Sequence, residues 1–257
     1  MSAYQIAVAL WTLVIKEVKR FTRIWPQTLV PPAITMTMYF IIFGSLIGSR
    51  IGEMDGYSYM DFIVPGLIMM SVITNSYSNV ASSFVSNKFQ RSVEEMMVSP
   101  MPNWVILSGF VLGGMARGLG VGLMVTIVSL FFTRISVAYP LLTIGVVVLT
   151  AALFSIGGFI NALLADKFDD VSIVPTFVLT PLTYLGGVFY SISLLPTFWQ
   201  NVSLFNPIVY MVNVFRHGFL GTSDIPVGWA LVAIFAFIVV LFTIALWMLE
   251  RGQGIRS

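Results

Sequence analysis

The sequence predicts an all-α integral membrane protein that crosses the bilayer six times. Of its 257 residues, 58% are hydrophobic and only 9% are charged, whereas a soluble domain carries about 25% charged residues. Six apolar stretches are long enough for membrane-spanning helices, which need about 20 residues each. Together they would use about half of the chain. We therefore expect residues 1–257 to form one membrane domain without a separate soluble domain.

Residues 3–23 are predicted to form an amphipathic helix that lies in the membrane interface. Apolar residues from Tyr4 to Phe21 recur at steps of three and four, and four Lys and Arg side chains occupy the other face. This pattern is typical of a helix at a membrane surface. The alternative is a surface helix of a soluble protein, and the long apolar stretch that follows directly argues against it.

The predicted membrane spans cover approximately residues 25–47, 60–86, 105–133, 139–165, 171–190 and 227–249. An even number of spans places both termini on the same side. Of the 13 Lys and Arg residues, nine fall in one set of termini and loops, three fall in the other set, and Arg117 lies within a span. Because Lys and Arg concentrate in cytoplasmic loops, we expect cytoplasmic termini and cytoplasmic loops at 87–104 and 166–170.

The apolar segment from Val174 to Leu220 is interrupted in a way that a simple anchor would not need. Pro181 and the Gly186-Gly187 pair fall in the outer half of the fifth predicted span, and Asn206-Pro207 follows further on. Irregular backbone at membrane depth is tolerated only where it is buried in protein or lines a wet cavity. The segment therefore predicts a path through the membrane, with residues 191–220 forming an outer re-entrant segment.

Two of the predicted spans carry uncharged polar residues in mid-course. In the fifth span these residues lie broadly on one face by helical spacing. They could line a path for an amphiphilic substrate, or they could form hydrogen bonds between helices, and the sequence leaves both possibilities open. The candidate path residues are Asn75, Tyr77, Asn79, Thr176, Thr180, Thr183 and Tyr184.

The longest predicted cytoplasmic loop, residues 87–102, contains a short amphipathic helix that ends before Pro100. Its methionines would repack easily in the groove of a partner. The alternative is that its apolar face rests on lipid or on the ends of neighbouring spans, and the two are evenly matched. The candidate docking residues are Lys88, Phe89, Arg91, Glu94, Glu95, Met96 and Met97.

The third span contains glycines at the four-residue spacing that lets two helix backbones approach closely. The pairs 109/113, 114/118 and 118/122 have this spacing. They could serve packing within one subunit or a dimer interface, and the sequence does not decide between these two uses.

Arg117 lies well inside the same span. A charge at membrane depth is costly and by default indicates a functional site. We expect it to extend toward the cytoplasmic surface or to pair with Asp169 or Asp170 near the inner face. A direct role in transport is the alternative.

The sequence shows no catalytic site and no metal site. It has no cysteine, and its only histidine is His217, so thiolate ligands and a two-histidine metal site are excluded. No glycine-rich loop ending in Gly-Lys-Ser/Thr is present, so the chain shows no phosphate cradle for ATP. A net charge of +2 gives no indication of nucleic-acid binding. Since the spans hold few carboxylates that could relay ions, an ATPase on a separate subunit is the favoured source of energy.

The chain resembles the ABC type-2 exporter permeases over nearly its whole length. Four blocks carry the resemblance: Trp25 to Gly48 with Pro31-Pro32, Phe62 to Ser83 with Val64-Pro65-Gly66, Gly113 to Gly118 with Arg117, and Asp169 to Leu195, which Asn206-Pro207 and Arg216 continue.

This resemblance implies a six-span permease that forms a homodimer and carries two copies of an ATP-binding subunit, where ATP and Mg would bind. Residues 87–102 would be the coupling helix, and residues 3–23 the interfacial connecting helix. The second and fifth spans would line the substrate path at the dimer interface. The segment after Tyr190 would act as an outer gate. The candidate gate residues are Gly186, Gly187, Phe189, Trp199, Asn206 and Pro207.

The expected function is thus that of a permease subunit in a bacterial inner membrane, which exports a hydrophobic or amphiphilic substrate with ATP hydrolysed on its partner. The resemblance does not fix the substrate. A gradient-driven carrier or a channel is the main alternative, and it would transport without an ATPase. A membrane enzyme that acts on lipid would need a cluster of His or carboxylates at interface depth, which the sequence does not show.

Overall fold

The computed structural model of the protein describes residues 1–134 and 136–254, apart from the side chain of Ser45. Ile135, in a predicted outer loop, and residues 255–257, in the predicted cytoplasmic C-terminus, lie outside the described residues.

The described residues form twelve α-helices and one short hairpin. The helices are α1 (Ala3–Arg23), α2 (Trp25–Tyr39), α3 (Gly48–Ile51), α4 (Tyr59–Phe89), α5 (Ser92–Val98), α6 (Asn103–Ser129), α7 (Pro140–Leu164), α8 (Asp170–Val174), α9 (Thr180–Tyr184), α10 (Thr197–Ser203), α11 (Pro207–Leu220) and α12 (Val227–Glu250). Two π-helical stretches, Phe40–Ile47 and Pro175–Leu179, join α2 to α3 and α8 to α9. A single 3₁₀ turn spans Ile192–Leu194.

Five helical stretches in the described part of the chain are long and apolar enough to cross a membrane. They correspond to the first four predicted spans and the last one, and confirm the all-α membrane class. These stretches are Trp25–Ile51, Tyr59–Phe89, Asn103–Ser129, Pro140–Leu164 and Val227–Glu250.

The fifth predicted span, residues 171–190, is not among these stretches. Its helical backbone runs only from Asp170 to Tyr184, about 22 Å at 1.5 Å per residue. The hydrocarbon core of a bilayer is about 30 Å thick. The count of six complete spans is therefore not confirmed, because this segment breaks before it is long enough to cross on its own.

A hairpin in the predicted outer segment 48–59 is a feature that the sequence analysis missed. β1 (Glu53–Met54) pairs antiparallel with β2 (Tyr57–Ser58). The two residues between them, Asp55 and Gly56, have φ of 51° and 81°. Tight hairpin turns of this type need positive φ at both positions, and Asp-Gly is a preferred pair for them. The signal was thus present in the sequence.

α4 is the central helix of the bundle. It is buried along most of its length and packs against α6, α7 and α11. The core around it has two parts. One contains Phe62 and Met211 toward the hairpin end, and the other contains Phe84, Phe110 and Phe159 toward α5. The rings of Phe84 and Phe159 lie 4.4 Å apart.

The glycines of α6 form two rows that pack against other helices of the same chain. Gly114, Gly118 and Gly122 face α4, where a Cβ would collide with Ser76, Val80 or Val72. Gly109 and Gly113 face α1, where a Cβ would collide with Leu13 or Glu17. The four-residue glycine spacing thus serves close packing within one subunit, which the sequence had left undecided.

We predict that Gly118→Val destabilises the protein, whereas Gly120→Val two residues away does not. At Gly118 a Cβ would meet the side chain of Ser76 and lie 3.1 Å from the carbonyl oxygen of Val72. Overpacking of this kind costs about 1–3 kcal/mol, so the apparent melting temperature in detergent should fall by roughly 5 °C.

Gly120 is the matched control because, within the described residues, no heavy atom outside its own helix neighbourhood lies within 4 Å of a Cβ placed there. Equal melting temperatures for the two variants would contradict the packing assigned to these glycines.

Candidate functional site

The basic face of α1 packs against α4 through three side-chain contacts. The Nζ of Lys16 donates to Oδ1 of Asn87 at 2.7 Å, and the Oγ of Ser83 donates to Oε2 of Glu17 at 2.7 Å. The Nη2 of Arg20 donates to Oδ1 and the backbone oxygen of Asn79 at 2.7 and 3.0 Å. The α4 partners recur every four residues, so they share one face of that helix. α1 has the predicted bounds, but part of its charged face is turned toward the bundle.

Glu17 is a buried carboxylate that sequence reasoning overlooked. Its side chain is 0% exposed, and its Oε2 also lies 3.3 Å from Nε of Arg20. A buried charge needs a partner of opposite sign or several hydrogen bonds, and Arg20 and Ser83 provide these. The sequence did carry a signal, because Glu17 is the single acidic residue in a helix with four basic ones.

The three candidate path residues of α4 have different surroundings. Asn79 is completely buried and bound to Arg20. Tyr77 packs against Gly157 and Gly158 of α7, inside the bundle. The side chains of both residues are therefore enclosed by their neighbours in the bundle, with Tyr77 4% exposed. Asn75 lines an open groove, so it is the one of these three α4 residues that is found at such a site.

That groove lies between α2, α4 and α6 and has a volume of about 360 Å³. Asn75 of α4 and Arg117 of α6 line it, together with Pro31 and Pro32 of α2. The Nη2 of Arg117 donates to Oδ1 of Asn75 at a long 3.4 Å.

The predicted pairing of Arg117 with Asp169 or Asp170 is not found among the described residues. The carboxylate of Asp170 instead accepts the backbone N–H groups of Asp166 and Lys167, at 3.0 and 2.8 Å. It is thus used to close the turn before α8, and Arg117 lies elsewhere in the bundle.

The polar residues of the broken fifth segment are divided between an exposed and a buried face. Thr176, Thr180 and Tyr184 are exposed at four-residue steps, whereas Thr183 is buried and donates to the carbonyl oxygen of Leu179. The hydroxyl of Thr180 donates to the carbonyl oxygen of Pro175, five residues earlier, within the π-helical stretch. Thr176 also borders a second cavity of about 360 Å³ between α4 and α8, lined further by Ser78 and Ser82.

An aromatic cluster connects the first span with the end of α9. The hydroxyl oxygens of Tyr39 and Tyr184 lie 3.1 Å apart. The ring of Phe189 lies 4.8 Å from that of Phe43, 5.7 Å from that of Tyr184 and 5.9 Å from that of Tyr39. Phe189, predicted as a gate residue, is thus packed between two segments.

The turn after α9 is held against α4 by the buried arginine Arg216 of α11. Its Nη2 donates to the carbonyl oxygen of Gly187 at 2.6 Å, and its guanidinium carbon lies 3.8 Å above the ring of Phe62. Gly187 has a φ of 73°, which favours glycine. A Cβ on Gly66 would lie 2.5 Å from the carbonyl oxygen of Val188. The backbones of the turn and of α4 are thus in direct contact.

The remaining gate residues lie around Asn206. Its Oδ1 accepts the backbone N–H of Ile208 and caps α11 directly before Pro207, and its Nδ2 donates to the carbonyl oxygen of Leu182 at 2.7 Å. Asn206 therefore ties α11 to α9. Beside it, a cavity of about 410 Å³ is lined by Trp199 and Leu185. Gly186 packs behind this region against Ile208.

The predicted coupling segment is a shorter helix than residues 87–102 would allow. α4 continues to Phe89, the chain turns at Arg91 with a φ of 60°, and α5 covers only Ser92–Val98. Pro102 directly precedes α6. The helix therefore occupies less than half of the predicted segment.

The candidate docking residues divide into an inward and an outward set. Val93 is completely buried in the part of the core that contains Phe84, and Met96 and Met97 pack on the same cluster. Lys88 also turns inward and donates to the carbonyl oxygens of Leu163 and Ala165, near the end of α7.

Arg91, Glu94 and Glu95 are exposed, and the exposed ring of Phe89 stacks on Phe168 at 4.7 Å. Val98, which was not predicted as a docking residue, is 88% exposed. The outward surface of α5 is therefore acidic with one exposed apolar side chain.

The family model of the ABC-2 type transporters matches residues 8–220. The chain belongs to the ABC-2 type transporter family. It is 60% identical over 250 residues to the inner membrane transport permease YadH of Escherichia coli strain K12, a match that covers 97% of this chain and 98% of YadH. It is 27% identical over 222 residues to nodulation protein J of Rhizobium meliloti, with 83% and 82% covered.

Membership of this family makes the chain a transport permease, and such subunits work with an ATP-binding subunit. In the described residues, no three His, Cys, Asp or Glu side chains are grouped so that they could hold a metal ion.

We predict that Arg216→Met loosens the turn after α9. The substitution removes the charge-assisted hydrogen bond to Gly187, worth about 1.5–3 kcal/mol, and leaves a buried carbonyl without that donor. The apparent melting temperature should fall by roughly 5 °C.

The matched control is Arg50→Met, which removes an exposed arginine from the neighbouring end of the first span. An Arg216→Met protein as stable as the Arg50→Met protein would show that the hydrogen bond from Arg216 to Gly187 does not contribute to stability.

Proposed function

We propose that this chain is the transmembrane subunit of an ATP-driven exporter. Two copies would form the membrane domain, and two copies of a separate ATP-binding subunit would bind ATP and Mg and hydrolyse the nucleotide. The substrate would be a hydrophobic or amphiphilic compound that moves outward. In this proposal the chain performs no chemistry of its own and contributes the path and the docking surface.

The observation that carries the proposal is the construction of α5. Its acidic residues Glu94 and Glu95 point outward, while Val93 is locked into the core beside α4. A protein that binds the outer face of such a helix can transmit force to the bundle, because the inner face cannot slide independently of it. This is what a coupling helix requires.

The contacts of α4 give the direction in which such a movement would travel. At its inner end α4 leads into α5, and Phe89 contacts Phe168 just before α8. At its outer end Phe62 and Gly66 contact Arg216 and Val188 of the turn after α9. A rigid-body shift of α4 would therefore disturb both ends of the broken fifth segment. We propose that this segment opens outward in response.

The proposed topology places both termini and α5 in the cytoplasm and the hairpin and α10 outside. The broken segment from α8 to α11 would then provide the sixth crossing together with a re-entrant outer gate. The exposed faces of α9 and its neighbours, with Thr176, Thr180 and Tyr184, would meet the second copy at the path. YadH is named as an inner membrane transport permease, which supports the same location here.

We predict that Glu94→Lys combined with Glu95→Lys abolishes binding of the ATP-binding subunit. The double reversal changes the charge of the exposed side of α5 without touching Val93. The measurements are co-purification of the subunit and its ATP hydrolysis in the complex, both of which should fall to background.

The control is Glu53→Lys, the same substitution in the exposed outer hairpin. Unchanged co-purification and hydrolysis with the double reversal would refute the docking role of α5. Transport by the permease alone in liposomes without ATP would favour a gradient-driven carrier instead.

We predict that single cysteines at two exposed sites react from opposite sides of the membrane. The chain has no native cysteine, so Leu194→Cys and Val98→Cys can each be read without further changes. Leu194 is 65% and Val98 88% exposed. An impermeant maleimide should label position 194 from outside and position 98 only in inverted vesicles. Labelling of both from one side would overturn the proposed topology.

A further inference from the structure

The groove between α2, α4 and α6 contains a positive charge that no carboxylate neutralises within the described residues. The single ion pair among the described residues joins Arg20 to Glu17 in α1, and neither of them lines the groove. Arg117 has one long hydrogen bond to Asn75, and its Nε is buried without a partner in the part of the chain that the structure describes.

Arg117 lies deep within a membrane span, where an unpaired charge is costly. Arg117 lies 14 residues after the start of α6 at Asn103, about 21 Å along the helix. A charged side chain at such depth normally pairs with another group or faces a water-filled cavity. Arg117 lines the cavity but has no partner of opposite charge among the described residues, so a negative group from outside the chain would complete the site.

The groove is open along its length and connects a membrane surface with this depth. Gln27, near the beginning of α2, lines one end, while Tyr39 and Met70 line the other. Gln27, Thr35 and Thr74 are exposed at its edge. The amide of Gln27 and the hydroxyl of Thr35 can donate to a headgroup, and the prolines and methionines of the wall can contact an acyl chain.

We propose that this groove binds the acidic headgroup of a membrane amphiphile, with Arg117 as its cationic anchor. The guanidinium presents paired N–H donors that match a phosphate or carboxylate group. The apolar wall selects an amphiphile over a free anion, since water-soluble ions gain nothing from it. The inference narrows the substrate class of the proposed exporter and rests on its membrane setting, but not on the ATP-binding subunit.

The test measures lipid binding to the purified permease in neutral detergent by native mass spectrometry. The probes are dioleoyl phosphatidylglycerol, which is acidic, and dioleoyl phosphatidylcholine, which carries no net charge. The wild-type chain should prefer the acidic lipid. Arg117→Gln should weaken binding of the acidic lipid about tenfold, because a hydrogen bond to a charged group is lost. Binding of phosphatidylcholine should stay unchanged.

Three further variants separate the effect of the Arg117 charge from effects on the structure. Arg117→Lys keeps the charge and should retain most of the preference, and Lys19→Gln removes an exposed charge from α1 and should bind like the wild type. Asn75→Asp keeps Arg117 and places a carboxylate where Oδ1 already lies 3.4 Å from its Nη2. This internal anion should compete with the headgroup and weaken binding of the acidic lipid as Arg117→Gln does.

Several results would overturn the proposal. Equal affinity of the wild type and Arg117→Gln for the acidic lipid would do so, and so would an equal loss for both lipids. An absence of lipid binding to the wild type would mean that another protein surface, such as a second copy, covers the groove. Displacement of the lipid by excess inorganic phosphate would identify a free ion as the occupant. None of these measurements involves α5 or the ATP-binding subunit. Failure of the lipid proposal can therefore be distinguished from failure of the exporter proposal, which the charge reversal at Glu94 and Glu95 tests.

Discussion

The close approach of α6 to α4 and α1 is the constraint on which the rest of the structure depends. Two rows of glycine let the backbone of α6 contact both helices at once. In a membrane, lipid tails are as apolar as leucine, so helices associate through close van der Waals packing and hydrogen bonds. Glycine provides the closest packing available. With α6 in place, α1 lies where Lys16, Glu17 and Arg20 reach the polar face of α4.

α4 then links the two regions that the proposed function needs. Its C-terminal end leads into α5, whose Val93 is buried in the same hydrophobic cluster as Phe84. Its N-terminal half contacts the turn after α9 that Arg216 holds in place. Because α4 is buried nearly throughout, neither end can shift without repacking its neighbours. The broken segment α8–α9 packs less tightly, and Phe177 and Tyr184 remain exposed, so it is the element best placed to move.

The limits of the sequence analysis are clearest at the polar residues of the second span. Asn75, Tyr77 and Asn79 are close in sequence and were all interpreted as candidates for the path. Asn79 instead binds Arg20, Tyr77 faces α7, and Asn75 borders the groove. Helical spacing shows that two residues lie on different faces, but it does not show which neighbour each face meets. The predicted pairing of Arg117 with Asp169 or Asp170 was likewise not found, because spacing does not show which neighbours meet. The carboxylate of Asp170 instead accepts backbone N–H groups of its own turn.

The sequence by itself determined the membrane class, the positions of five apolar helices, the helix at residues 3–23 and the interruption of the segment from Val174 to Leu220, although not that its helix ends at Tyr184. These follow from hydropathy, from proline and glycine, and from the length that a bilayer demands, all of which are local properties. Only the tertiary structure decided that the α6 glycines pack internally, that Glu17 is buried, and that Arg117 lies in a groove where no described residue supplies a counter-charge. In a bilayer, lipid-facing and protein-facing surfaces are both apolar, so the composition of a helix does not reveal which face meets a neighbour.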